Sequence, residues 1–151
     1  MKYRTIIAAA VGLAFFGAMG SGAEASKDKK IPTSIEKSLT GKPGNAANGK
    51  KLIINRKKGN CLACHVITKM SKQADQGNVG PPLDGVASRL NLAQMRAQVA
   101  NPKGSNPDTI MPAFLKKTGL TRVKKKFKGK TILTPQQIED VIAYLMTLKG
   151  K

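Results

Sequence analysis

The sequence predicts an all-α domain whose core is completed by something the chain does not itself contain. Three observations point there. No stretch alternates with period two for long enough to make a convincing strand. Two segments open with an N-cap residue and a glutamine three positions on, a pairing that starts helices. Aromatic side chains are also scarce: the chain has no Trp, two Tyr and four Phe. Tyr3, Phe15 and Phe16 lie in the N-terminal leader described next, which leaves Tyr144, Phe114 and Phe127. A domain of about 100 residues ordinarily uses more large rings in its core. A buried cofactor can supply that apolar surface.

In chain order, Met1-Lys2-Tyr3-Arg4 is a short basic start, and Thr5 to Met19 is apolar and uncharged. Ala23-Glu24-Ala25 offers small residues for cleavage before Ser26. This reads as a signal peptide over 1–25, because the apolar run falls short of the roughly 20 residues a spanning helix needs. The rival is a retained membrane anchor. Export places the chain in the periplasm, and after cleavage it is not an integral membrane protein.

Residues 26–45 are polar and broken by Pro32, Pro43 and Gly44, so an N-terminal extension, partly ordered at best, is expected ahead of a domain over 46–149. The first helix is predicted from near Asn48, carrying Leu52, Ile53 and Ile54, and ending at Arg56-Lys57-Lys58-Gly59. A short second helix is expected after the cysteines. Residues 77–87 (GNVGPPLDGVA) read as a loop. Asn91 caps the next helix with Gln94 as its partner; Leu92, Met95 and Val99 recur at helical spacing, and Asn101-Pro102 stops it. Residues 101–131 are a long irregular stretch of a kind that is uncommon unless it wraps or binds something. The last helix has Thr134 at its N-cap, Pro135 at N1 and Gln137 at N3. Ile138, Val141, Ile142 and Leu145 make its apolar face, and Lys149-Gly150 ends it.

Charge narrows the partners. The whole chain carries a formal +19; without Lys2, Arg4 and Glu24 it keeps 25 basic and 7 acidic side chains, or +18. Nucleic acid is the reflex partner for such a balance. Export argues against it and in favour of an acidic protein or an anionic membrane surface. Residues 116–130 (KKTGLTRVKKKFKGK) hold eight basic side chains and no acid. They read either as a solvated loop or as a docking surface for an acidic electron-transfer partner.

Residues 61–65, Cys-Leu-Ala-Cys-His, form the C-x-x-C-H pattern of covalent haem attachment. Two thiols three apart on a tight turn can each add to one vinyl group, and the next residue aims an imidazole at the iron. Three other readings compete. A thioredoxin-like pair needs a βαβ setting. A structural disulfide leaves the histidine unexplained. A zinc site wants four ligands, and His65 is the sole histidine. The reading is therefore one covalent haem c on Cys61 and Cys64, with His65 on the iron.

A second axial ligand has to come from across the haem plane, and methionine leads in the absence of another histidine. Met70 is five residues past His65, on the proximal side. Met95 shares a face with Leu92 and Val99, and Met146 flanks the face of the last helix. Met111 sits in the irregular stretch before Pro112, where a loop can present its thioether to a flat group. Lysine, another ligand, or an iron left open are the alternatives. A carbonyl of Gly80-Pro81-Pro82 can accept the other imidazole N–H, although a rigid turn explains those prolines as well.

C-x-x-C-H, then Gly-Pro-Pro-Leu, then Met-Pro and a capped last helix, in this order, resembles the class I cytochromes c. Residues 80–90 (GPPLDGVASRL), 101–114 (NPKGSNPDTIMPAF) and 129–148 (GKTILTPQQIEDVIAYLMTL) are similar to blocks of the SoxX family, from the bacterial sulfur-oxidising (Sox) system. The likeness runs from about Asn45 to Leu148. It implies the class I fold, helices wrapped around one covalent haem, attachment at Cys61 and Cys64, and His65 and Met111 as axial ligands. It also implies a periplasmic heterodimer with a SoxA-like cytochrome. That complex joins thiosulfate oxidatively to a cysteine of the carrier SoxYZ, as an L-cysteine S-thiosulfotransferase. The lysine density around 124–130 departs from the family pattern.

Both cysteines are taken up by haem, so no thiol remains to carry sulfur. No paired carboxylates suit acid–base work, and no catalytic residue is assigned. The expected function is that of an electron sink for a partner's chemistry. A free-standing soluble cytochrome c shuttle is the alternative, and a haem enzyme or gas sensor with Met111 off the iron is a third.

Overall fold

The computed structural model describes residues 33–150. The leader over 1–25 and residues 26–32 lie outside the described residues. Four α-helices and single 3₁₀ turns make up the regular structure, with no strand among the described residues. The helices are α1 (Ala46–Ile54), α2 (Val86–Arg89), α3 (Leu92–Ala100) and α4 (Pro135–Leu145). None is long and apolar enough to cross a membrane.

Helices α1 and α4 form the main packing pair, and α3 lies against α4. Gly49 sets how near the first two come. A Cβ built there would stand 1.9 Å from the carbonyl oxygen of Asp140, so the two backbones touch where any side chain would hold them apart. Around this crossing lie Ile53, Ile138, Val141, Ile142 and Leu145, joined by Met95 and Val99 of α3. Among the described residues the core is aliphatic, with Phe114 as its one buried aromatic ring.

Both predicted capping boxes are present. The Asn91 side chain accepts from Gln94 N while Gln94 reaches back to Asn91 N, and Thr134 and Gln137 do the same. The differences lie at ends and in short pieces. Helix α1 begins at Ala46 because Asn45 accepts from Asn48 N; Asn48, the predicted start, lies inside its first turn. The short helix expected after the cysteines is only a 3₁₀ turn, Thr68–Met70, and the first cysteine itself opens another, Cys61–Ala63. Helix α2 starts inside the predicted 77–87 loop, at a Gly85 held at φ 67°. Helix α4 stops at Leu145, earlier than Lys149. Thr147 Oγ1 donates to the Tyr144 carbonyl at 2.6 Å, and Leu148 turns into the core.

The segment before α1 lies across the helices. Ile35 N donates to Ala93 O, and Leu39 N donates to Glu139 Oε1 at 2.8 Å. Arg96, 3% exposed, holds it in place. Its guanidinium pairs with Glu139 at 2.9 and 3.3 Å and donates to the carbonyls of Ile35 and Glu36. A buried ion pair persists only when its remaining donors and acceptors are satisfied, and the strap's backbone does that here.

Candidate functional site: a covalent haem centre

The site begins where α1 ends. Asn60 takes a left-handed φ of 50°, a conformation asparagine tolerates better than most residues, and turns the chain into Cys61–Ala63. Cys61 O then accepts from both Cys64 N (3.1 Å) and His65 N (3.0 Å). One tight turn thus carries both cysteines and the histidine.

The loop over 76–84 is laced to this turn. Gly77 N donates to Leu62 O, Gly80 N to Cys64 O and Leu83 N to Val66 O, at 2.7, 2.8 and 2.9 Å. Arg89 clamps its far side, donating to the carbonyls of Pro82 and Asp84 at 2.7 Å each. The result is a fixed carbonyl beside the imidazole: His65 Nδ1 lies 2.7 Å from Pro81 O. A carbonyl can only accept, so Nδ1 is the donor in this contact, and in the neutral imidazole that leaves Nε2 as the nitrogen with a lone pair for a metal. The prolines therefore do more than stiffen a turn. Gly80 is needed at the same place, since a Cβ there would fall 2.4 Å from His65 Cε1.

Neither thiol is engaged in a disulfide. Cys61 packs against the core, and burial is the main cause that pushes its thiol up to about 12. A redox-active C-x-x-C pair needs a lowered thiol pKa, so Cys61 is built the opposite way. Among the described residues no three His, Cys, Asp or Glu side chains converge as a zinc site requires.

Burial sets two of the four candidate methionines aside and leaves Met111 and Met146, both half-buried. Met70 and Met95 are core residues, 4% and 1% exposed, and Met146 is the C-cap of α4. Met111 is half-buried in the loop after α3, with its N–H donating to Thr109 Oγ1 at 3.2 Å. Lys103 Nζ staples that loop through the carbonyls of Pro107 and Thr109. Gln98 Nε2, on α3, stands 3.8 Å from Met111 Sδ. Gln98, Arg89 and Lys103 carry no mark in the sequence, because each acts through a contact that only folding makes.

A flat apolar group fits these residues. Among the described residues the two most exposed large apolar side chains, Val79 at 65% and Ile110 at 79%, adjoin Gly80 and Met111, so each of those two loops presents bare apolar surface. With two free thiols and an imidazole held through Nδ1, the donors are those of haem c.

Comparison with known proteins agrees. The cytochrome c family model matches residues 46–149. No curated protein matches in sequence. A crystal structure of SoxXA from P. pantotrophus contains a similar chain, 43% identical, with a TM-score of 0.73; the match covers 78% of this chain and 91% of that one. An all-α domain with a C-x-x-C-H turn and the family's match over most of its length leaves one conclusion: this chain belongs to the cytochrome c family, and its haem is held covalently for electron transfer.

Proposed function

We propose that this chain is the electron-accepting subunit of a periplasmic SoxXA-type complex, in which thiosulfate is joined oxidatively to a cysteine of a carrier protein. The observation that carries this is the 43% identity to a SoxXA chain, sustained over 91% of that chain. Cys61 and Cys64 hold the haem by thioether bonds. His65 through Nε2 and Met111 through Sδ would hold its iron. Haem c would supply a one-electron acceptor, so the two electrons released for each sulfur–sulfur bond would leave through it one at a time.

The protein's own part is positional. Pro81 O accepts the Nδ1 proton, which orients the imidazole and raises its basicity toward the iron. Gln98 directs an amide N–H at the thioether. With both thiols used in attachment, the sulfur–sulfur bond must form on a partner, and a SoxA-like cytochrome is that partner. The carrier, a SoxYZ-like protein, meets the pair.

The test is co-expression with a SoxA-like cytochrome, followed by an assay with thiosulfate, a SoxYZ-like carrier and an electron acceptor. The two chains should co-elute, and only the pair should reduce the acceptor. Full activity from this chain alone refutes the division of labour. Failure to co-elute with the second cytochrome points to a free shuttle.

A further inference from the structure

Between Phe114 and Ile132 the chain leaves the domain and comes back to the same point. Ile132 N and Leu133 N both donate to the one carbonyl of Phe114, at 3.0 and 3.1 Å, and Leu115 N is tied to Ala100 O at 3.1 Å. Phe114 and Leu133 are core residues, 5% and 1% exposed, so the neck is rooted in the domain. Nothing between 116 and 131 is buried. The excursion is turned on itself at Gly119, Arg122 and Gly129, all at positive φ, and Lys126 Nζ lies 4.7 Å above the Phe127 ring. It is a surface loop closed at its neck, a form often used for function.

Its charge is unopposed. Seven of its eight cations are exposed and the eighth is half-buried. The acids that the fold engages are engaged elsewhere: Glu139 with Arg96, Asp75 with Arg56, Asp84 with Thr68, and Asp140 with Asn45. No ion pair among the described residues involves the excursion. Such a density of like charge repels itself and weakens the folded chain, so it calls for a counter-charge from outside.

We propose that residues 116–131 form a docking arm that steers an acidic electron-transfer protein onto the Met111 side of the molecule. This rests on the electron-transfer reading. The neck at Phe114 is three residues from Met111, so an arm-bound partner is brought beside the loop that carries the thioether. A protein is favoured over a lipid surface by the arm's apolar content. An arm that inserts into a lipid surface needs exposed apolar residues, whereas Phe127 and Val123 are half-buried and Leu120, at 38%, is the arm's one exposed large apolar side chain. Exposed charges of this kind act on encounter rate and are screened by salt.

The test uses the haem-loaded protein and two variants of equal total charge. One carries Lys124→Glu, Lys125→Glu and Lys126→Glu. The control carries Lys42→Glu, Lys50→Glu and Lys149→Glu, all exposed and remote from the arm in sequence. Reduced flavodoxin serves as the acidic probe, and a small uncharged hydroquinone as the charge-blind one. At low salt the arm variant should be reduced by flavodoxin about tenfold more slowly than the unaltered protein, and the control far less so. The gap should close to within about twofold at high salt. Rates with the hydroquinone and the haem spectrum should be the same in all three. Equal slowing of both variants would show that total charge, not the arm, steers encounter. Equal flavodoxin rates in all three, with binding to phosphatidylglycerol vesicles lost only in the arm variant, would make the partner a membrane. If the unaltered protein is not reduced even by the hydroquinone, the electron-transfer reading falls, and the arm's role with it.

Discussion

Met111 and Gln98 show how much one contact can decide. A thioether ligand favours ferrous iron, and an amide N–H directed at its sulfur draws electron density from it and favours the reduced state further. Met111→Ala should abolish the near-infrared band that marks methionine bound to ferric iron and should lower the potential. Gln98→Leu should keep the band and lower the potential less, by up to about 59 mV if the contact is worth a factor of ten in the one-electron equilibrium. Retention of the band in Met111→Ala would place another ligand on the iron. An unchanged potential in Gln98→Leu would mean that the 3.8 Å contact does no tuning.

Among the elements, the crossing of α1 and α4 is the one most tightly determined. Gly49 sits mid-helix, where alanine is ordinarily better by about 1 kcal/mol. Gly49→Ala should nonetheless destabilise, because a Cβ 1.9 Å from the Asp140 carbonyl forces the helices apart. Overpacking of this kind costs typically 1–3 kcal/mol, and a backbone neighbour cannot step aside, so a loss of about 3 kcal/mol is expected. Urea unfolding of the haem-loaded variant measures it. A variant as stable as the parent would show that the crossing can open at little cost. Helix α3 works differently, holding the strap over 33–45 through the buried Arg96.

For the whole molecule the question is what completes the core. The buried cluster is aliphatic, with one ring, and the loops bearing Val79 and Ile110 leave apolar surface bare. Covalent haem is then part of the fold rather than an addition to it. Cys61→Ser with Cys64→Ser should yield no haem-staining band on a denaturing gel, and circular dichroism should report a largely unfolded chain. A haem-positive band from the double variant would overturn the attachment, and a native-like spectrum without haem would show that the aliphatic core suffices.

The local signals were legible in the sequence because each acts within a few residues. The caps at Asn91 and Thr134, the C-x-x-C-H turn, and the irregular stretch around Met111 depend on neighbours three or four positions away. The all-α class followed from the same short-range pattern. Tertiary structure alone decided the rest. The first turn of α1 came earlier than the apolar pattern implied, since Asn45 is already tied to Asp140 of α4 at 2.8 Å. That Pro81 O, of the several carbonyls in its loop, receives His65 Nδ1 depends on three backbone bonds lacing 76–84 to 62–66. Arg96 reads in the sequence as one more helical cation; only the approach of α4 and the strap makes it buried and paired. Caps and motifs are short-range chemistry that a linear text preserves, whereas these contacts join residues from 13 to 95 positions apart, and no local pattern encodes which of them will meet.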